Sequence, residues 1–322
     1  MSLQLDVMVD VLKAAAEPSR LRILMLLTRG DLTVSDLTLI LGQSQPRVSR
    51  HLKLLSEARL INRYQEGAWA YFRLADNDEF GVIIRESLQR LDETDPLIER
   101  DFDRLAQVKT QRQEQAAVYF SSNAQSWDKI RRLHIAEGAV ETALKDIVGD
   151  VPFQTMLDVG TGTGRLLELL SPLYVRGVGV DINRDMLMVA RANLDQANIA
   201  HAQVRQGDVY ALPVERENFD LVTIHQVLHF LDDPQGAIRE TARSLRAGGR
   251  LLIVDFAPHM LEFLREEHAH LRLGFSDEQM IGWLRESGLE MVDIRELKQA
   301  DEDAKALTVK LWLARDPRQL IA

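Results

Sequence analysis

The sequence predicts two domains of different class: a small α+β domain with a terminal hairpin, then a larger α/β domain with a doubly wound parallel sheet. Three observations predict it. A length of 322 residues favours about two domains at ~100–200 residues each. Between Leu12 and Leu74, short helical patterns meet at Gly42 and run into two strand-like segments around a glycine. From Thr155 onward, short apolar runs alternate with helical patterns.

Composition narrows the class. With 46% hydrophobic and 27% charged residues, the chain can bury a core and is not of disordered type. It holds no apolar run of the ~20 residues that a membrane helix needs. The first residues carry Asp6 and Asp10 and have no basic segment ahead of an apolar block, so no secretory signal is read and a cytoplasmic location without membrane attachment is expected. There is no Cys, which excludes disulfides, thiolate metal sites and cysteine nucleophiles.

A net charge of −10 argues against nucleic acid until it is divided along the chain. Residues 1–80 hold 10 Lys/Arg and 10 Asp/Glu, so the whole excess of acid lies in 81–322. Within the neutral part, Arg47, Arg50, Lys53, Arg59 and Arg63 face a single acid, Glu57. That local basic face suits phosphate contact; its plain alternative is a solvated helix surface.

The first elements follow from capping and periodicity. Leu12 to Leu27 is a helical pattern split at Glu17-Pro18-Ser19, with Pro18 suited to a first helical turn. Asp31-Leu32-Thr33 offers a cap for the helix Val34 to Leu41, which Gly42 ends. The next helix starts near Pro46 and buries Val48, Leu52 and Leu55 at i, i+4 and i+7; Leu54 is also expected in the core. Arg47, Ser49, Arg50, His51 and Lys53 then lie on or beside its exposed side, and the pair forms a helix-turn-helix candidate. Leu60 to Gln65 and Ala70 to Leu74 read as a hairpin around Glu66-Gly67-Ala68-Trp69, which after a recognition helix is a wing.

The stretches LKAAAEPSRLRILMLL, QPRVSRHLKLLSEARLI and EGAWAYFRL, in this order, resemble the winged-helix domain of the ArsR/SmtB repressors over roughly residues 5–80. The resemblance implies that Gln43, Ser44, Gln45, Arg47, Ser49, Arg50, His51 and Lys53 enter or flank the major groove of double-stranded operator DNA. The wing, with Arg63 and Arg73, would track the backbone. For His51 the alternative is packing on Trp69 or Tyr71. The chain departs from the metal-sensing members: Leu37-Thr38-Leu39-Ile40 has no Cys, and the helix from about Phe80 to Glu99 has no His. No metal site is therefore expected.

Residues 81–115 read as helical and charged, with Pro96 dividing them into two helices. The resemblance implies a homodimer contact there; the alternative is a simple tether. The domain boundaries expected are 1–80, 81–115 and 116–322.

In the second domain, Met156 to Val159 is a strand running into Gly160-Thr161-Gly162-Thr163-Gly164, followed by a helix from Arg165 to Leu170. Strands follow at Val175–Val180, Ala202–Gln206, Phe219–Ile224 and Arg250–Asp255, separated by helices at Met186–Leu194 and Ala237–Leu245. A helix at 277–287 and strands at Leu289–Leu297 and Leu307–Ala314 complete seven strands. The glycine turn is not the dinucleotide G-x-G-x-x-G, because Arg165 stands where the last glycine would be. Asp181, 21 residues after Gly160, ends the next strand, where a carboxylate can accept both ribose hydroxyls; Asp208 ends the third.

This set, with FDLVTIHQVLHFLDDP and SLRAGGRLLIVDF, resembles the class I S-adenosylmethionine-dependent methyltransferases, a Rossmann-like seven-strand fold, over roughly 150–315. The resemblance implies S-adenosylmethionine or S-adenosylhomocysteine at Asp158, Gly160, Thr161, Gly162, Gly164, Asp181, Ile182, Met186, Asp208, Val209 and His225. Each acid alone would be read as a cap or turn residue. After the fourth strand stands His225-Gln226-Val227-Leu228-His229, where amino-methylating DNA enzymes carry Asn/Asp-Pro-Pro-Tyr, so DNA is a poor methyl acceptor. The absence of Cys removes cytosine-C5 and arsenic methylation.

The surrounding motifs are similar to small-molecule methyltransferases of ubiquinone biosynthesis, in which an aromatic entry segment caps the pocket; here it holds Tyr119, Phe120, Trp127 and His134. His225, His229, Tyr119 or His134 would be the base, if the domain is an enzyme. The sequence thus points to a transcriptional repressor whose effector is S-adenosylmethionine or S-adenosylhomocysteine. The alternative is an active small-molecule methyltransferase with an attached DNA-binding domain.

Overall fold

A computed structural model describes residues 5–66, 68–75, 79–127, 130, 137–298 and 307–319, with backbone only at 79–81. The chain divides into two compact units, Met1–Glu114 and Gln115–Ala322.

The first unit runs α1 (Leu5–Ala15), α2 (Pro18–Leu27), β1 (Leu32–Thr33), α3 (Val34–Leu41), α4 (Gln45–Glu57), β2 (Ile61–Glu66), β3 (Trp69–Leu74) and α5 (Glu79–Leu88). It also takes the first part of α6 (Pro96–Asn123). Its caps are local chemistry. The Glu17 carboxylate accepts the Arg20 N–H at 2.9 Å, Pro18 opens α2, and Thr33 with Asp36 forms a reciprocal capping box at the start of α3. Gly42, at φ 63°, ends α3 in the left-handed conformation that only glycine adopts without strain. Ile23, Leu24, Leu37, Ile40, Val48, Leu52, Leu55 and Leu60 form one buried core.

Two details differ from the sequence expectation. Leu54 is 38% exposed, because the stripe Val48, Leu52, Leu55 already defines the inward face and Leu54 lies off it. Leu32-Thr33 does more than cap α3: it pairs antiparallel with β3 (Leu32 with Phe72, Thr33 with Tyr71), adding a third strand to the wing sheet. Two residues carry too little alternation to announce a strand.

The helices after the wing pack on this same core through Ile84, Leu88 and Leu105. Arg22 grips the buried Asp101 with two bonds at 2.5 and 2.7 Å, Arg104 donates to the Ile40 carbonyl at 2.9 Å, and Arg112 pairs with Asp36. Residues 84–112 are thus packed structure, not a bare tether. Pro96 falls at the first position of α6, where a missing N–H costs nothing.

The second unit holds the end of α6, then α7 (Glu137–Val148), β4 (Phe153–Val159), α8 (Arg165–Leu169), β5 (Tyr174–Asp181), α9 (Arg184–Gln196) and β6 (Ala202–Gln206). Next come β7 (Phe219–His225), α10 (Pro234–Ala242), β8 (Leu245–Phe256), α11 (Phe263–Glu267), α12 (Asp277–Glu286), β9 (Glu290–Leu297) and β10 (Val309–Arg315). The seven strands lie in the order β6-β5-β4-β7-β8-β10-β9. Alternate residues serve opposite faces: Leu252, Val254 and Phe256 of β8 join one core, Leu251 and Ile253 the other.

The sheet is mixed, not wholly parallel. β10 runs antiparallel to both β8 and β9. The stretch between β9 and β10 is shorter than the dozen or more residues of a parallel crossover, so the chain returns alongside itself. β8 also starts earlier than expected, at Leu245, taking Gly248 and Gly249 into the strand.

Candidate functional site: an exposed basic helix and a strand-end cradle

In the first unit, α4 presents Gln45, Arg47, Ser49, Arg50 and Lys53 to solvent, with Ser44 exposed just ahead of it. Gln43 is half-buried and donates through Nε2 to Ser19 Oγ at 2.9 Å, which ties the turn to α2. Arg63 on β2 is exposed and bonds Gln65 at 3.3 Å. These side chains sit on the face that the sequence marked.

His51 does not. It is 9% exposed, with Nδ1 3.6 Å from a Glu17 carboxylate oxygen, and burial pushes its imidazole below the usual range despite that acid. Position 51 lies between the buried Val48, Leu52 and Leu55, so the helix turns it inward. Trp69 and Tyr71 stack on each other, at 6.5 Å between centroids. Arg73 is likewise engaged: it makes a bidentate pair with Asp31 at 2.8 and 2.7 Å, where the Tyr64 hydroxyl also donates. It holds the wing to the start of α3.

In the second unit, a glycine turn joins β4 to α8. Gly160, Gly162 and Gly164 have φ of 70°, 52° and 81°. At Gly160 the space decides as well: a Cβ would stand 2.9 Å from Cγ1 of Val227 and closer still to Cγ2. Asp158 is buried beneath the turn and accepts the hydroxyls of Thr161 and Thr223, each at 2.7 Å.

Asp181 ends β5 and accepts the Gly162 N–H at 2.9 Å and the Asn183 N–H at 2.8 Å. Burial pushes its carboxyl above the usual range, against the backbone N–H bonds that favour the charge. Ile182 is exposed, Met186 is buried, and Asp208 is exposed, accepting the Tyr210 N–H at 3.0 Å; Val209 is half-buried. Arg165 forks onto Glu141 at 2.7 and 2.8 Å and reaches Glu168, so this position serves packing of α8 on α7, not a pyrophosphate.

Beside the turn lies a small open pocket. Its wall includes Tyr119, Trp127, Gln226, His229, Phe230 and His270. It borders the glycine turn, since a Cβ on Gly162 would be 3.8 Å from Trp127 Nε1. His229 is buried with Nδ1 2.7 Å from Asp255 Oδ1, and its ring lies 4.2 Å from that of His270. The Tyr119 hydroxyl meets His268 Nδ1 at 2.8 Å, and burial raises the phenol. His225 ends β7 half-buried and is not part of this wall as described; His134 lies outside the described residues.

Sequence reasoning missed four contributors here. Asn183 caps α9 and donates to the Ala117 carbonyl and Ser121 Oγ at 3.3 and 3.1 Å, fixing the end of α6 at the site. Asp255 stands near the end of the quoted stretch SLRAGGRLLIVDF on β8, while His268 and His270 come from the loop after α11, outside the stretches that carry the resemblance. Only Asp255 carried a signal, as an acid inside the apolar run of β8.

Among known families, residues 17–63 match the bacterial regulatory protein arsR family and residues 157–253 match a methyltransferase domain family. An uncharacterized methyltransferase, YcgJ, of Bacillus subtilis is 34% identical over 32% of this chain and 41% of its own length. The ubiquinone/menaquinone biosynthesis C-methyltransferase UbiE of Vibrio parahaemolyticus is 36% identical over 36% of this chain and 47% of its own. The chain thus spans less than half the length of these relatives. In fold it is similar to a SAM-dependent methyltransferase of Thermotoga maritima, with a TM-score of 0.51 at 21% identity, over 63% of this chain and all of that one. A chain of the Haloferax volcanii Trm112 activator–methyltransferase complex gives 0.54 at 20% identity, over 64% of this chain and all of that one. The protein therefore joins an arsR-family helix-turn-helix segment to a class I methyltransferase fold.

Proposed function

We propose that the protein is a transcriptional regulator that binds double-stranded operator DNA through α4 and the β2–β3 wing, with S-adenosylmethionine or S-adenosylhomocysteine as effector in the second unit. The observation that carries the reading is the presence, in one chain, of an exposed Arg/Gln/Ser helix face and a glycine cradle flanked by strand-end acids.

The residues present fit the ligand. The positive φ of Gly160, Gly162 and Gly164 turns the backbone tightly at the strand end, and at Gly162 the nearest atom to an added Cβ is Trp127 Nε1 at 3.8 Å, which leaves that backbone open to close approach. Asp181 stands where ribose hydroxyls would be accepted, Asp158 places a buried negative charge under the turn for an ammonium, and Asp208 with Val209 flanks the adenine side. Thr161, Ile182, Met186 and His225 would complete the surround. On the DNA side, Arg47 and Arg50 would read base edges or phosphates, Gln45 and Ser49 would flank them, and Lys53 and Arg63 would track the backbone. His51 supports α4 from within.

A homodimer fits the exposed Leu5 and Leu12, which share one stripe of α1 at i and i+7. Light scattering on the purified chain tests it. Among the described residues, no helix is long and apolar enough to cross a membrane; a cytoplasmic site of action is the setting this function needs.

An effector regulates only if it binds the DNA-competent and DNA-incompetent arrangements differently. Titration of each ligand into an operator-binding assay is the test: a shift in operator affinity of about 5-fold or more supports the reading. Unchanged affinity with both ligands overturns it. A second reading, an active small-molecule methyltransferase, is favoured by the pocket around His229.

A further inference from the structure

The pocket beside the glycine turn has a composition that selects its guest. Its described lining contains no Lys, Arg, Asp or Glu. Trp127, Phe230 and Phe256 supply aromatic wall, joined edge-to-face through Phe120 at 5.2 Å to Trp127 and 4.8 Å to Phe230. Leu264 and Leu307 close the apolar side. Such a wall suits an aromatic molecule, and the buried acid behind it, Asp255, is already engaged by His229.

The polar points have a definite polarity. Asp255 Oδ1 also accepts the Phe256 N–H at 2.9 Å, which fixes the carboxylate. A carboxylate accepts only, so Nδ1 of His229 is the protonated ring nitrogen, and Nε2 keeps its lone pair for a ligand in the pocket. The backbone carbonyl of His229 accepts the N–H groups of Leu271 and Arg272, both at 2.9 Å, which locks the segment carrying His270 over the imidazole. His229 is thus a proton acceptor oriented by a buried acid, in an aromatic pocket contiguous with the glycine turn.

We infer that this pocket binds an aromatic molecule bearing a hydroxyl group, and that His229 Nε2 is the base that takes the hydroxyl proton when the oxygen is methylated. The inference rests on the S-adenosylmethionine reading above and adds a catalytic activity to it. In the transfer, the O–H proton moves to Nε2 while the oxygen pair forms the new O–CH₃ bond. The CH₃–S bond breaks with its pair returning to sulfur, and the proton leaves Nε2 for solvent. Asp255 is a positioning residue, holding the tautomer. The ionisable groups around the imidazole are Asp255, His259, His268, His270, Tyr119 and Arg265.

The test uses the full chain and para-nitrophenol, whose ionised form absorbs visible light. Without S-adenosylmethionine, the bound probe should ionise at lower pH with the wild-type chain than with His229→Gln or Asp255→Asn. Retained S-adenosylhomocysteine binding by calorimetry reports that each variant folds. With S-adenosylmethionine, the methyl ether, read by mass spectrometry, should fall about 100-fold in His229→Gln. Its pH profile should rise on a limb that Asp255→Asn displaces. Equal probe ionisation in all three chains overturns the role of His229. A chain that binds S-adenosylmethionine but not the probe overturns the pocket assignment alone; one that ionises the probe but binds no S-adenosylmethionine overturns the transfer step and the proposed function with it.

Discussion

Under the proposed function, the exposed face of α4 and the strand-end cradle meet opposite demands. On α4, Arg47, Arg50 and Lys53 stand in solvent, while the order lies underneath, in Val48, Leu52, Leu55 and the inward His51. In the cradle, Asp158 and Asp181 are themselves held, each carboxylate fixed by hydroxyls or backbone N–H groups before any ligand arrives. A DNA surface can adapt its long cationic side chains to a charged polymer at modest cost, so it needs a rigid support and free ends. A small-molecule cradle gains by having its charges oriented beforehand. Substitutions should therefore act through folding at the support of the first, and through affinity at the acids of the second.

The largest effect is expected at the support. Arg22→Ala leaves the buried Asp101 carboxylate without its bidentate partner. Loss of about 3–5 kcal/mol of stability in chemical denaturation is predicted for such a broken buried pair; a change under ~1 kcal/mol would remove this pair from the account.

Asp181→Ala should come next. It removes an acceptor for two hydroxyls together with the bond to Gly162, and calorimetry should show S-adenosylmethionine and S-adenosylhomocysteine binding weakened by roughly 100-fold, about 3 kcal/mol. Operator binding without ligand should stay within 2-fold. Equal loss on both would mean that the cradle is a folding element.

Arg50→Ala tests the exposed side. About a 10-fold to 100-fold loss of operator affinity is expected, with the salt slope reduced by ~1 if the contact is to phosphate, and with ligand binding and stability unchanged. A stability loss matching that of Arg22→Ala would erase the distinction between face and support.

The last effect is graded with pH, and its smallest step is the change across a single pH unit. Burial, with neighbouring His229, pushes His259 down to about 4 and holds His270 below its ordinary range as well. The unfolded chain takes up protons at these positions near ~6.5 while the folded chain does not, so stability is full above that pH and falls as pH drops toward 4. Each group should contribute about 1.4 kcal/mol per pH unit within the window. His259→Gln should flatten the curve between pH 6 and 5, and an unchanged slope would deny the burial.

Legibility followed locality. The winged helix could be read because its signals, Pro18, Thr33, Gly42 and Pro46, act on residues within one turn of themselves. The glycine turn and Asp181 were readable for the same reason, as strand ends at fixed spacing. Position 51 is hard to assign from sequence because a helix of 3.6 residues per turn puts it at the margin of both faces, and the neighbour it meets at 3.6 Å, Glu17, caps the start of another helix. Asp255, His268 and His270 stayed hidden because β8 and the loop after α11 meet His229 only through tertiary packing. The antiparallel β10 was missed because alternation of strand and helix says nothing about the last crossover.

Under the proposed function, one chain couples an operator to a nucleoside-containing ligand. Fluorescence anisotropy of a labelled operator, followed while S-adenosylmethionine and, separately, S-adenosylhomocysteine are added to wild type and to Asp181→Ala, tests it most directly. Operator affinity should shift by about 5-fold or more with at least one ligand in wild type, and the shift should be lost in the variant at the same ligand concentration. Operator affinity that ignores both ligands in wild type, with ligand binding proven in the same sample, would contradict it.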